Sequence, residues 1–119
     1  MLTIRDEQMT VFEADARRRA LLRLGEHLRR VCREQTAKLR AEQLQREVEA
    51  GVEHAARYGI DREADLRVFL ECRLELGADF DTREDTAWAG AVLRDPALFA
   101  EDKADLLADR HLMTGGARP

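Results

Sequence analysis

The sequence predicts an all-α fold, in which one domain is built as a bundle of four to five helices. Only two of the 119 residues are proline, and Ala, Leu, Arg and Glu, which all favour helices, are abundant. Hydrophobic residues make up 45% of the chain and charged residues 37%, so each helix must separate an apolar face from a charged one. We expect the helical domain to cover residues 1–113 and a disordered tail to follow over 114–119.

The first helix is predicted to begin at Thr3, because Asp6 and Glu7 follow where a first turn favours acceptors and negative charge. Apolar residues then recur at steps of three and four, which predicts a core-facing stripe. The stripe comprises Met9, Phe12, Ala16, Ala20, Leu24, Leu28 and Val31. The opposite side carries Ile4, Val11 and Leu22 beside Arg18 and Arg29. These apolar residues are either a second contact surface or ordinary exposed side chains, and we favour the second interpretation.

The second long helix is predicted to follow a break within 33–43. Its stripe is formed by Leu44, Val48, Val52 and Ala55. Leu39 lies five positions before the first of these, so it points away from the stripe. We expect this helix to reach Arg57 and to stop at Gly59 in the left-handed conformation.

The segment 62–76 is predicted to be the central helix, with Asp61 as its N-cap and Gly77 as its stop. The apolar residues between 66 and 76 mostly alternate with charged ones, which is also typical of a strand. We prefer a helix because the segment has few β-branched residues and no comparable strand to pair with. Phe69 is the predicted anchor of this helix in the core.

Four acids surround Phe80 in the next segment, namely Asp79, Asp81, Glu84 and Asp85. A calcium loop is one alternative, but Arg83, Glu84 and Gly90 occupy positions where such a loop needs other residues. We therefore expect a solvated turn that keeps its acids in water and buries Phe80.

Two further helices are predicted after this turn. Thr86 is expected to cap a short one, in which Trp88 inserts into the end of the bundle as a second aromatic anchor. The last helix is expected over 97–112.

Little in the sequence predicts catalysis. The chain has no serine, and Cys32 and Cys72 lie on apolar stretches, where we expect buried, reduced thiols. His27, His54 and His111 fall on three different predicted helices without metal-ligand spacing, so we expect them at the surface or at helix ends. The sequence therefore predicts no catalytic residue, no cofactor and no metal site, and we do not expect an enzyme.

Charge is distributed unevenly. Residues 1–46 hold 11 Lys/Arg against 7 Asp/Glu, a net +4, whereas residues 47–119 hold 9 against 17, a net −8. A DNA-binding regulator that uses the arginine-rich first helix is one alternative, although the net charge of −4 opposes it. The other is that the basic helix packs against the acidic half of its own domain. No segment suggests a signal peptide or a membrane span, so we expect a cytoplasmic protein and no membrane partner.

A set of landmarks resembles a known family. These are the run Ala56-Arg-Tyr-Gly-Ile-Asp-Arg-Glu-Ala-Asp-Leu66, Phe69, Leu76-Gly-Ala-Asp-Phe80, Ala87-Trp-Ala, Val92-Leu-Arg-Asp-Pro96, Lys103 and Leu106. Together with Leu2-Thr-Ile-Arg-Asp-Glu-Gln-Met9, they resemble small helical proteins encoded beside bacterial type VI secretion spike and effector genes. The resemblance implies a cytoplasmic accessory protein that binds a secreted effector or spike component, either as a loading adaptor (chaperone) or as an immunity protein. The predicted partner-binding candidates are Arg18, Leu22, Arg29 and Leu39.

Overall fold

The computed structural model describes residues 11–115, and its side chains from 14 to 111. Within that range the chain forms six α-helices and no strand, which confirms the predicted all-α fold in a single bundle. The helices are α1 (Val11–Val31), α2 (Arg33–Thr36), α3 (Ala41–Ala56), α4 (Glu63–Leu76), α5 (Ala87–Leu93) and α6 (Ala100–Gly115), and a 3-10 turn over Glu84–Thr86 precedes α5. The predicted start at Thr3 and residues 116–119 lie outside the described residues. Helix α6 extends beyond the predicted domain end at 113.

Helix α4 is the centre of the bundle, since α1, α3 and α6 all pack against it. The strand interpretation of 66–76 is wrong, because the segment is helical throughout and meets neighbours on several sides. Phe69 is fully buried, as predicted, and its ring meets Phe80 edge-on at a centroid distance of 5.3 Å. The alternating pattern therefore reflects a surrounded helix.

The predicted stripe of α1 is correct only in part. Leu24 and Leu28 are buried, but Ala16 is exposed and Val31 is 48% exposed. Leu21 and Cys32 are buried in addition. Because α1 ends at Val31 and the chain turns there into α2, the next inward-facing position passes to Cys32. The side chains of Met9 and Phe12 lie outside the described residues.

The break predicted within 33–43 is confirmed by α2 and the turn that follows it. Gly59 has the predicted left-handed conformation, with φ of 78°, and Gly77 ends α4 with φ of 117°. Asp61 is not the N-cap of α4, because Arg62 holds that position.

The last helix begins three positions later than predicted, at Ala100. The amide of Phe99 donates a hydrogen bond to the Asp102 carboxylate over 3.1 Å, which satisfies one free donor at the helix start. The Asp95 carboxylate accepts from the amide of Ala97 in the same way, over 2.9 Å. Residues 95–98 are therefore held in a turn. None of the described helices has the length and apolar character needed to cross a membrane.

Candidate functional site

All three histidines pair with a carboxylate on another element, which the sequence did not predict. The pairs, with their N···O distances, are His27–Glu71 at 2.6 Å, His54–Asp81 at 2.7 Å and His111–Glu75 at 2.5 Å. His54 and His111 are buried and His27 is partly buried, so the expectation of surface histidines is wrong, although His54 does lie in the last turn of its helix, as the helix-end alternative predicted. Two of the three acids lie on α4, whose central position brings it within reach of both α1 and α6.

Asp81 is buried, although the sequence predicted that it lies in water with the other acids of its turn. Its Oδ2 atom accepts hydrogen bonds from His54 Nε2 over 2.7 Å and from the Tyr58 hydroxyl over 2.5 Å. Burial acts to raise the pKa of Asp81, but the hydrogen bonds from His54 and Tyr58 outweigh it and hold that pKa below its usual value. Asp81 is therefore a buried anion that fastens its loop to α3.

His54 is held from both sides. Its Nδ1 atom accepts a hydrogen bond from Arg73 Nε over 3.2 Å. Because a guanidinium keeps its protons, Nδ1 carries none, and Nε2 is the nitrogen that donates to Asp81. Both ring nitrogens of His54 are thus used within the protein.

An open cleft of about 430 Å³ lies beside this network. Its lining is mixed in charge and comprises Ala50, Glu53, His54, Arg57, Arg73, Ala78, Asp79, Asp81 and Thr82. Because the lining includes both acids and arginines, it selects neither an anion nor a cation by charge alone.

Two of the other acids of the turn pair with one arginine. Arg83 contacts Asp79 and Asp85 at 2.8 Å each, so two of the three aspartates that suggested calcium are paired with a guanidinium. Among the residues whose side chains are described, no group of three or more His, Cys, Asp or Glu is arranged to hold a metal ion. Thr86 stands at the N-cap of α5, but it does not cap by its side chain, because its hydroxyl donates instead to the carbonyl of Phe80 over 2.7 Å.

The two aromatic anchors of this region differ in burial. Phe80 is fully buried, as predicted, whereas Trp88 is only partly buried and packs against the core from its edge. The guanidinium carbon of Arg110 lies 5.4 Å from the centre of the Trp88 ring, within cation–π range. Trp88 therefore joins α5 to α6 at the boundary of the core.

Both cysteines are buried, as predicted. Burial, aided by the negative charges of Glu71 and Glu75, raises the pKa of Cys72 to about 12. The Cys32 thiol donates to Glu75 Oε2 over 3.6 Å, within the range for sulfur. A thiol whose pKa is near 12 is a poor nucleophile at neutral pH.

Two of the four predicted partner-binding residues line one small groove between α1 and α3. The groove has a volume of about 140 Å³ and is lined by Leu22, Gly25, Glu26, Arg29, Ala41, Leu44 and Gln45. Leu22 is 48% exposed at its rim, and Leu44 is buried at its base. We call this feature the α1–α3 groove.

The other two candidates lie close to this groove in the chain. Arg29 donates hydrogen bonds to the carbonyls of Thr36, over 2.6 Å, and Leu39, over 2.8 Å. The side chain of Leu39 is partly buried against the core. Its carbonyl is bonded to Arg29, which lines the groove, so the surface predicted around Leu39 adjoins the groove. Arg18 is exposed one turn before Leu22 and forms an ion pair with Asp15.

The arginine-rich helix α1 packs against α4, which lies in the acidic half of the chain, and this agrees with the second of the two alternatives given for its charge. Arg23 makes a bidentate pair with Glu63 at 2.8 and 2.9 Å. This pair borders an apolar cleft of about 440 Å³ between α1, α3 and α4, which the sequence did not reveal.

Comparison with known proteins returned no match. Neither the protein-family models nor the curated proteins nor the solved structures contain one that matches this chain. The resemblance to proteins of type VI secretion clusters therefore stays a prediction.

Proposed function

We propose that this chain is a non-enzymatic accessory protein that binds a protein partner through the α1–α3 groove. In the setting that the sequence resemblance implies, it acts in the cytoplasm on a secreted effector or spike component of a type VI secretion system, as loading adaptor or immunity protein. The observation that carries the proposal is the exposed Leu22 at the rim of a groove that also includes Arg29.

The groove suits one apolar side chain presented by a helix. Leu22 and Leu44 supply apolar walls, and Gly25 adds no side chain between them. A central apolar anchor in such a pocket typically contributes about 2 kcal/mol or more to binding. The lining also carries one charge of each sign, Glu26 and Arg29, so an amphipathic helix that presents one apolar side chain with polar groups beside it is the partner that fits the groove.

Three features support a non-enzymatic function. The Nδ1 atom of His54 already accepts a hydrogen bond from Arg73, so His54 cannot take a substrate proton without losing that bond. The raised pKa of Cys72 disfavours its thiolate, and the sequence has no serine.

The DNA-binding alternative receives less support from the arginines of α1. Four of them are engaged within the chain, namely Arg18 and Arg19 with Asp15, Arg23 with Glu63, and Arg29 with backbone carbonyls. A helix that reads DNA needs its cations directed at phosphates and bases.

The test is co-purification of the tagged chain with the product of each adjacent gene, expressed together with it. We expect one product to form a complex that Leu22→Glu abolishes, because a charge then occupies the rim of the groove. Val31→Glu is the matched control, since Val31 has the same exposure of 48% and lies about 180° from Leu22 around α1. The proposal fails if no product binds, or if both variants weaken the complex equally. Salt-dependent binding of duplex DNA by the wild type would favour the regulator instead.

A further inference from the structure

The ring of His54 lies between a cation and an anion that belong to two other elements. Arg73 of α4 donates from Nε to Nδ1 over 3.2 Å, and Asp81 of the following turn accepts from Nε2 over 2.7 Å. The side chains of His54, Asp81 and Arg73 are only 10%, 6% and 13% exposed. A proton on Nδ1 would point at Arg73 Nε, so this proton and the hydrogen bond from Arg73 exclude each other.

Arg73 has a second partner to which it can turn. Its Nη1 atom donates to the exposed Glu47 over 3.0 Å, and a guanidinium keeps this pair when its Nε leaves the imidazole. His54 lines the open cleft of about 430 Å³, so water reaches a proton on Nδ1 from there. Asp81 then holds the imidazolium through a charge-assisted bond. These side chains therefore have two arrangements, and each leaves their polar groups with partners.

The other charged and titratable groups around His54 are exposed or already bonded. They comprise Glu53 and Arg57 on α3 and Asp79 on the turn, which are all exposed, and Tyr58, which Arg94 also meets and whose hydroxyl is bonded to Asp81. Asp79 is also paired with Arg83. Phe69 and Phe80 cover the imidazole by edge contacts at centroid distances of 5.0 and 6.2 Å. Among the described side chains, Arg73 and Asp81 are the charged groups that hydrogen-bond to it.

We propose that His54 is a proton-operated latch between α3 and α4. In the closed form the neutral ring accepts from Arg73 and donates to Asp81. When Nδ1 takes up a proton from water, Arg73 keeps Glu47 alone and the imidazolium stays on Asp81. Imidazole is the side chain whose ordinary proton exchange falls between about pH 5 and 8, so mild acid opens the latch.

Opening the latch changes the cleft beside it. The lining gains one positive charge at His54, and Arg73 exchanges its bond to α3 through the imidazole for water in the cleft. The device is independent of the proposed function, because neither His54 nor Arg73 lines the α1–α3 groove.

Nuclear magnetic resonance of the labelled full chain from about pH 8 to about pH 5 tests the latch. We expect the nitrogen signal of His54 Nδ1 to change from that of a bonded acceptor to that of a protonated nitrogen. The Hε signal of Arg73 should lie downfield at the higher pH and join the unbonded arginines with the same midpoint. A His54 that stays unprotonated at the lower pH overturns the proposal, as does an Arg73 signal that does not follow the His54 midpoint.

Two variants separate the latch from a general effect of acid. In His54→Gln the side-chain oxygen accepts from Arg73 and the NH₂ group donates to Asp81, and neither group titrates. The Arg73 signal should then be constant over the same range, and a transition with the wild-type midpoint would show that another group drives it. Arg73→Gln keeps a neutral donor, so His54 should take up its proton at a higher pH than in the wild type. An unchanged His54 midpoint in this second variant would also overturn the proposal, and circular dichroism establishes that each variant is folded.

Discussion

Asp81 accepts hydrogen bonds from His54 Nε2 at 2.7 Å and from the Tyr58 hydroxyl at 2.5 Å, and so connects the turn after α4 to the end of α3. The turn is therefore fastened by a buried polar network as well as by Phe80. A buried carboxylate with charge-assisted bonds holds one geometry, since removal of any partner leaves a polar group unsatisfied.

Replacing Asp81 should be costly. Asp81→Ala leaves the buried His54 N–H and the Tyr58 hydroxyl without their acceptor, and we expect the free energy of unfolding to fall by about 3 kcal/mol. Urea unfolding measures the change. Asp85→Ala, which removes an exposed partner of Arg83, is the control and should have little effect. Equal effects of the two substitutions would contradict the assigned role of Asp81.

The free energy of unfolding should depend on pH through the carboxylate of Asp81. Because the folded pKa of Asp81 is lowered, its contribution is fully present above the ordinary pKa of 3.8 and is lost as the pH falls through the lowered folded value. Urea unfolding of the wild type and of Asp81→Asn should therefore differ most near neutral pH and converge in strong acid. If the difference in free energy of unfolding between the two proteins grew as the pH fell below 3.8, the lowered pKa of Asp81 would be contradicted.

Truncation of two phenylalanines should lower the free energy of unfolding to very different extents. Phe69 is fully buried in α4, so Phe69→Ala should cost about 3–5 kcal/mol. Phe99 is exposed, so Phe99→Ala should change the stability of the monomer by less than about 0.5 kcal/mol. Thermal unfolding of dilute protein compares the two, and a neutral Phe69→Ala would contradict the central position of α4.

Trp88 should report an intermediate environment. Its ring is partly buried under Arg110, so Trp88→Ala should cost about 2 kcal/mol, less than Phe69→Ala. The native fluorescence of this single tryptophan should shift to the red on unfolding. Arg110→Ala should alter the native emission at nearly constant stability, and an unchanged spectrum would argue against the cation–π contact.

Replacing two helical glycines by alanine should change the free energy of unfolding differently. At Gly90 an added Cβ would lie 2.5 Å from the backbone oxygen of Asp81, which cannot move freely, so Gly90→Ala should destabilise by about 1–3 kcal/mol. At Gly25 the nearest atom is Gln45 Nε2 at 2.6 Å, the end of a flexible side chain. Gly25→Ala should be neutral or stabilising by up to about 1 kcal/mol through helix propensity. Urea unfolding distinguishes these outcomes, and destabilisation of similar size at both sites would show that Gln45 does not move aside for the new methyl group at position 25.

The sequence by itself determined the class of the fold and many of its local features. Gly59 and Gly77 mark helix ends because positive φ angles favour glycine, and such preferences are encoded one residue at a time. The break after α1 and the burial of Phe69 and Phe80 also follow from local patterns of apolar residues.

Only the tertiary structure decided which polar groups meet. His27 and Glu71 are 44 positions apart, His111 and Glu75 are 36 apart, and His54 and Asp81 are 27 apart, and no local pattern relates them. In the sequence Asp81 cannot be told apart from the three exposed acids of the same turn, because all four are carboxylates close together in the chain. Only the folded chain shows that Asp81 is the one that meets His54 and Tyr58 at the end of α3. The α1–α3 groove likewise required two helices to be placed side by side. Helix periodicity fixes the side on which a residue lies, whereas the partner on that side depends on how whole helices pack.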